Sequence, residues 1–174
     1  MPQMAAANTQ VKGDSLTSVV QAVSRLSEAY RKRVLDVLDK NGVPEPQVGE
    51  WYSLPAAIDS LDELVDGIGP RTVKTIGKEI PETVEWPPQI DSVEAGLTGL
   101  DDVYQMYHRG GDVGYYEFEK TGETEGRMIC ETPYPSPMDQ GIVEGIVKKF
   151  NDSGAFVEVE RDETASKRTF DVSW

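Results

Sequence analysis

His108 is the only histidine of the chain, and an imidazole can ligate a metal or heme or titrate near neutral pH. It lies in the segment Tyr104-Gln105-Met106-Tyr107-His108-Arg109, at the end of a predicted helix. The helix dipole alone would stabilise a histidine there without any ligand. Two interpretations therefore stay open. His108 is either a functional residue, as a metal or heme ligand or a pH-sensitive switch, or a structural residue at a helix C-terminus, and we favour the second.

Aromatic residues are dense around His108 and are typical of a small-molecule pocket, although packing between a helix and a sheet would use the same residues.

Cys130 is the single cysteine and is predicted to be a buried thiol on a strand. Tyr134 lies in the rigid segment Pro133–Pro137, which could aim it at a ligand or only set a helix angle. The predicted ligand-binding residues are Tyr104, Tyr107, His108, Tyr116, Cys130 and Tyr134.

Known catalytic and cofactor motifs are absent. The chain has no G-x-G-x-x-G, no Walker lysine loop, no G-x-S-x-G, no H-E-x-x-H and no C-x-x-C. One histidine and one cysteine cannot form a structural zinc site unless carboxylates complete it. We therefore predict a protein that is not an enzyme and has no catalytic residues, no bound metal and no cofactor.

The elements that must position these residues follow from apolar periodicity. A period of 3.6 residues, with caps and Gly or Pro at the ends, predicts helices over 14–41, 51–65, 71–78, 91–109 and 138–150. Alternation predicts strands over 114–120, 127–132, 155–160 and 168–173. The sequence thus predicts an α+β fold, in which N-terminal helices pack on a C-terminal antiparallel sheet of ββαββ order. Residues 1–12 are predicted to be a disordered tail and 13–174 a single domain.

The negative net charge limits the classes of partner that this protein could bind. The chain has 31 acidic and 17 basic residues and a formal net charge of −14, so nucleic acid and anionic membranes would be repelled. A basic partner and adaptation to a salt-rich cytoplasm, as in halophilic archaea, both explain this excess, and we favour the second. No apolar stretch approaches a membrane span, and residues 1–12 lack a signal-peptide core. We predict a cytoplasmic protein.

The order of elements resembles a fold shared by heme-nitric-oxide-binding domains, 4-vinyl-reductase-type sensor domains and transport-particle subunits of Golgi tethering. In the heme-binding family the proximal histidine lies in a Leu-Asp-x-Leu-His context. The segment Leu100-Asp101-Asp102-Val103-Tyr104 resembles it, with Tyr104 in place of the histidine. The family's Tyr-x-Ser-x-Arg motif has its Tyr and Ser in Tyr134-Pro135-Ser136-Pro137-Met138 but lacks the Arg. The resemblance therefore implies a heme-free member of this group.

Our leading hypothesis is a non-enzymatic cytoplasmic sensor or regulatory domain in signalling. Its ligand would be a small apolar or aromatic molecule, held in a pocket lined by Tyr104, Tyr107 and residues of the strands 114–120 and 127–132. The first alternative is a homodimeric interaction or adaptor protein without a ligand. Dimerisation through helix faces recurs in this fold group, and the predicted helix 14–41 could supply such a face. The second alternative is a heme or metal protein that uses His108.

Overall fold

A computed structural model describes residues 5–174, which form six helices and seven strands. The helices are α1 Gly13–Leu26, α2 Glu28–Lys40, α3 Leu54–Ile68, α4 Pro70–Thr83, α5 Val93–Met106 and α6 Ser136–Phe150. The strands are β1 Gln10–Lys12, β2 Trp51–Ser53, β3 His108–Arg109, β4 Tyr115–Gly122, β5 Glu125–Glu131, β6 Glu158–Arg161 and β7 Thr169–Ser173. No helix in this part of the chain is long and apolar enough to cross a membrane.

The larger sheet carries the C-terminal part of the domain. Its strand order is β4-β5-β7-β6, every neighbouring pair is antiparallel, and α6 lies between β5 and β6 in the chain. Met128 and Phe170 are fully buried on the face of this sheet that meets the helices. The predicted α+β class is therefore confirmed.

A second, smaller sheet was not predicted. It has the order β2-β1-β3, and its middle strand pairs Val11 with both Tyr52 and His108. Val11 is completely buried, so the prediction of a disordered tail is wrong for residues 10–12, and residues 1–4 lie outside the described part of the chain. Strands of two or three residues are too short to show alternation, and only tertiary pairing reveals them.

The predicted helix over 14–41 is two helices. Ser27 has an extended backbone (φ −166°, ψ 130°), and its side chain accepts a hydrogen bond from the Tyr30 amide, which caps α2. The apolar residues whose period predicts this helix form a stripe, and two of them, Val19 and Val34, are buried in the core. A break at Ser27 lets the two halves of the stripe face one core from different directions.

Other boundaries also differ from the prediction. Residues 51–53 are strand β2, so the helix predicted over 51–65 begins only at Leu54. Helix α4 was predicted to end at residue 78, before Pro81. It continues through Pro81 instead. Helix α5 ends at Met106, and His108 belongs to β3, so the prediction that His108 ends this helix is wrong. Pairing with Val11 pulls the chain into the small sheet at this point.

Helices α4 and α6 approach each other closely through glycines. A Cβ on Gly77 would lie 2.6 Å from the carbonyl oxygen of Met138. A Cβ on Gly141 would overlap the carbonyl oxygen of Lys74, and one on Gly145 would overlap that of Lys78. These two helices therefore meet backbone to backbone, which places the start of α6 firmly against the helical layer.

Candidate functional site

His108 is held by two hydrogen bonds in the interior. Its Nδ1 lies 2.6 Å from the carbonyl oxygen of Tyr104, which can only accept, so Nδ1 carries the hydrogen and donates it. Its Nε2 lies 2.7 Å from the hydroxyl of Tyr134 and accepts that hydrogen. Burial lowers the pKa of His108 to about 4, so the ring is neutral near pH 7. Both ring nitrogens are thus in use.

Tyr104 packs against this histidine. Its ring stacks on the imidazole with centroids 3.9 Å apart, and it meets Tyr116 edge to face at 5.2 Å. Its hydroxyl donates a hydrogen bond of 2.5 Å to the carbonyl oxygen of Val113. Burial is the main cause that raises the pKa of Tyr104, so the phenol stays protonated. Tyr104 thus has a committed hydroxyl and a covered ring.

Asp139 is the buried acid of the same region. Its Oδ1 accepts from the hydroxyl of Tyr116 at 2.6 Å, and its Oδ2 accepts from Thr132 at 2.8 Å and from Nη1 of Arg168 at 2.7 Å. Burial raises the pKa of Asp139, while Arg168 and the three hydrogen bonds act in the opposite direction. Three donors on two oxygens fit the ionised carboxylate, which Arg168 neutralises.

These contacts join into what we call the buried polar network. Arg168 links its two halves, because Nη1 also donates to the carbonyl oxygen of Tyr134 at 2.8 Å. Sequence reasoning missed three of its members, Asp139, Thr132 and Arg168. Asp139 lies in the first turn of α6, where an acid normally serves the helix dipole at the surface, so its type and position gave no sign of burial. The network consists of Tyr104, His108, Tyr116, Thr132, Tyr134, Asp139 and Arg168.

One cavity lies beside this network, and we call it the aromatic cavity. Its volume is about 340 Å³, and helices α1, α4 and α5 contribute to its walls. Thr17 lines it, and the hydroxyl of Thr17 is buried without a hydrogen-bond partner in the described chain. Four of the predicted binding residues lie on its walls, namely Tyr104, Tyr107, His108 and Tyr116.

A second, larger cavity is lined in part by Tyr134, and we call it the elbow cavity. Its volume is about 830 Å³, and α3 and the segment Pro133–Pro137 line it. The other two predicted residues, Cys130 and Tyr134, line this cavity and not the aromatic one. The structure therefore divides the predicted residues between two cavities. Burial raises the pKa of the Cys130 thiol, which stays protonated and inert.

The residues present do not fit a heme, the group that heme-nitric-oxide-binding domains hold. Heme iron needs an axial donor with a free lone pair. Both nitrogens of His108 are engaged, and the Tyr104 hydroxyl is protonated and bound to a carbonyl oxygen. Met138, which stands where the heme-carboxylate motif needs an arginine, is buried. Within residues 5–174 there is also no group of three His, Cys, Asp or Glu side chains that could hold a metal ion.

Comparison with known proteins finds similarity in structure only. No protein-family model matches the chain, and no curated protein matches it. An H-NOX protein from S. oneidensis in the Fe(II)NO ligation state superposes with a TM-score of 0.67 at 11% identity, covering 93% of this chain and 98% of that one. An unliganded Fe(II) mutant of an H-NOX protein from K. algicida also gives 0.67, at 12% identity, covering 93% and 95%.

A third solved structure is an oxygen-binding H-NOX domain related to soluble guanylate cyclases, in its oxygen complex. It superposes with a TM-score of 0.61 at 17% identity, and the match covers 92% of each chain. The superposition thus extends over most of both chains. At this level of identity the likeness concerns the fold alone. The chain therefore has the H-NOX fold.

Proposed function

We propose that this protein is a heme-free sensor domain that binds a small apolar or aromatic molecule in the aromatic cavity. The single observation that carries the proposal is a cavity of about 340 Å³ with aromatic walls and one buried, unpartnered hydroxyl, that of Thr17. The volume is within the range of small-molecule sites. The H-NOX domains of the same fold are named for bound oxygen and nitric oxide, and this supports a binding role.

The walls favour an aromatic ligand with one polar group. Trp86, Leu100, Val103 and Ile142 supply apolar surface, whose removal from water drives binding. A buried hydroxyl without a partner costs free energy unless a ligand or water satisfies it. Thr17 would therefore hydrogen-bond the polar group of the ligand, which makes a phenol-like molecule a fitting probe.

A sensor role also agrees with the protonation and pairing of the buried side chains that could otherwise act as acids, bases or nucleophiles. His108 is neutral, the buried tyrosines are protonated, and Asp139 is neutralised by Arg168. Side chains held this way bind and position, and they offer no free nucleophile or base. We therefore propose that the protein acts by binding in the cytoplasm and not by catalysis.

The proposal is tested with the matched pair p-cresol and toluene, by calorimetry and ligand-detected NMR. We expect both to bind, p-cresol more tightly. Thr17→Val removes the hydroxyl and should weaken the binding of p-cresol about fivefold without affecting the binding of toluene. Val103→Trp fills the cavity and should abolish binding of both.

Thr75→Val is the matched control, because the Thr75 hydroxyl already bonds the Arg71 carbonyl oxygen on an exposed face of α4. It should leave both affinities unchanged. Failure of both probes to bind, or binding that survives Val103→Trp, would contradict the proposal.

The heme alternative has a separate test. Because no axial donor is free, hemin added to the purified protein should give no saturable Soret band of a ligated heme. A stoichiometric Soret band that disappears in His108→Gln would show that His108 leaves its hydrogen bonds to ligate iron, and would overturn the heme-free assignment.

A further inference from the structure

The elbow cavity has walls of opposite charge. Asp59, Asp62 and Asp66 lie on one face of α3, at the spacing that brings helical side chains together. Arg161, at the end of β6, and Arg168, which directly precedes β7, form the basic wall of the same cavity. The proposed function uses neither wall.

The acidic wall consists of solvent-exposed side chains. None of its three aspartates belongs to an ion pair formed within residues 5–174. Burial raises the pKa of Asp62, and the like charges of Asp59 and Asp66 raise it further, while Arg168 acts in the opposite direction. Three mutually repelling carboxylates at a cavity would be stabilised by a bound cationic group.

The basic wall has an unused donor. Arg161 donates from Nη1 to the hydroxyl of Ser136 at 3.3 Å, but its Nε is buried without a hydrogen-bond partner in the described residues, and it forms no ion pair there. Arg168 is already committed to Asp139 and to the Tyr134 carbonyl oxygen. A buried guanidinium N–H with no acceptor is costly, and a carboxylate is the acceptor that fits its geometry.

We infer that the elbow cavity binds a small zwitterion of the amino-acid class, with its carboxylate on Arg161 and Ser136 and its ammonium group on the aspartates of α3. A simple anion would meet the acidic wall, and a simple cation would leave the Arg161 Nε without an acceptor. Ile58 adds apolar surface, and the volume of about 830 Å³ admits a large aliphatic side chain.

The test compares three probes of similar shape on the full-length protein. L-leucine carries both charges, isocaproate only the carboxylate, and isoamylamine only the ammonium group. We expect L-leucine to bind in the millimolar range or better and at least about tenfold more tightly than either analogue. Calorimetry measures the affinities, and chemical-shift changes at α3 and β6 locate the site.

Two variants separate the walls. Arg161→Gln should weaken L-leucine binding about tenfold or more without weakening isoamylamine binding, whereas Asp62→Asn should weaken L-leucine binding without weakening isocaproate binding. The controls are Arg127→Gln, whose guanidinium pairs with Asp162 and Asp171 outside the cavity, and Asp102→Asn on the exposed face of α5.

The controls should bind L-leucine as the unaltered protein does. Three results would overturn the inference: no L-leucine binding at millimolar concentration, equal binding of L-leucine and one analogue, or no effect of either cavity variant. Thr17→Val should leave L-leucine binding unchanged, so failure at the aromatic cavity and failure at the elbow cavity can be told apart.

Discussion

Buried hydroxyl groups hold the interior of this domain in one arrangement. Tyr134 donates to His108, Tyr116 donates to Asp139, and Tyr104 donates to a carbonyl oxygen. Each bond satisfies a group that would be costly if left alone in the core. Because the Tyr134 hydroxyl donates to Nε2 of His108, the lone pair that a heme iron would need there is already in use.

Removing one buried hydroxyl should lower the stability of the fold. Tyr134→Phe leaves Nε2 of His108 buried without a donor, and we expect the free energy of unfolding to fall by about 1–3 kcal/mol. Denaturant titration measures it. The control is Tyr115→Phe, because the Tyr115 hydroxyl only accepts from the exposed Lys167 ammonium group. That change should cost less than about 0.5 kcal/mol. Equal stability of the two variants would contradict the role assigned to Tyr134.

His108 should make stability depend on pH. Its pKa is about 4 in the folded protein and 6.5 as a model value for the unfolded chain. Below about pH 6.5 the unfolded chain therefore takes up a proton that the folded protein excludes, and folding loses stability until the pH falls to about 4. The lowering from 6.5 to about 4 corresponds to roughly 3 kcal/mol in total.

Because His108 is the only histidine, a comparison with His108→Gln isolates this effect. The difference in unfolding free energy between the two proteins should change by roughly 3 kcal/mol between about pH 7 and about pH 4, since the carboxylates titrate in both. Parallel pH profiles would show that burial of His108 does not lower its pKa.

At the scale of elements, the contact between α4 and α6 positions the site. Gly77, Gly141 and Gly145 allow the two backbones to touch, and α6 begins where Asp139 enters the buried polar network. The other helices contribute through side chains. Leu26 and Tyr30 remain partly exposed at the junction of α1 and α2, while most of the predicted apolar stripe lies in the core. Homodimerisation through a helix face stays a prediction.

Gly141→Ala should disrupt this contact. The new Cβ would overlap the carbonyl oxygen of Lys74, so the helices must separate, and we expect a loss of about 1–3 kcal/mol despite the higher helix propensity of alanine. The matched control is Gly67→Ala in α3, whose Cβ would meet only the movable guanidinium of Arg33 at 2.5 Å. That variant should be neutral or slightly more stable by thermal unfolding. A stable Gly141→Ala protein would refute the close backbone contact.

At the scale of the whole molecule, charge is the dominant property. With 31 acidic and 17 basic residues, the surface repels itself at low ionic strength. The interior does not share this imbalance, since Asp139 has Arg168 as its partner. The excess of acidic residues therefore affects how the surface interacts with solvent and partners, and it does not extend to the Asp139–Arg168 pair in the core.

Salt should stabilise the protein. Raising KCl from about 0.1 M to about 1 M shortens the screening length from about 10 Å to about 3 Å, which relieves repulsion among surface carboxylates. We expect the midpoint of thermal unfolding to rise over this range. Sucrose, which adds no ions, serves as the comparison for preferential exclusion. A midpoint that is unchanged or falls with KCl would contradict the role of surface charge.

Local pattern determined the class of this protein. An apolar period of 3.6 or of two residues is a property of a single segment. The helices and the strands of the larger sheet could therefore be predicted from the residues alone. The match of residues 100–104 and 134–138 to heme motifs, with Tyr104 and Met138 at the departures, was equally readable without coordinates. The H-NOX fold of the structure agrees with the predicted resemblance to heme-nitric-oxide-binding domains.

Tertiary structure decided the rest. Strand β1 has too few residues to show a period and is defined by its partners β2 and β3, which lie far along the chain. Pairing with β1 moved His108 off its helix and placed it against Tyr134. Burial turned Asp139 and Arg168 from ordinary surface residue types into a core pair, because burial depends on what the rest of the chain packs above a residue and not on its neighbours in sequence.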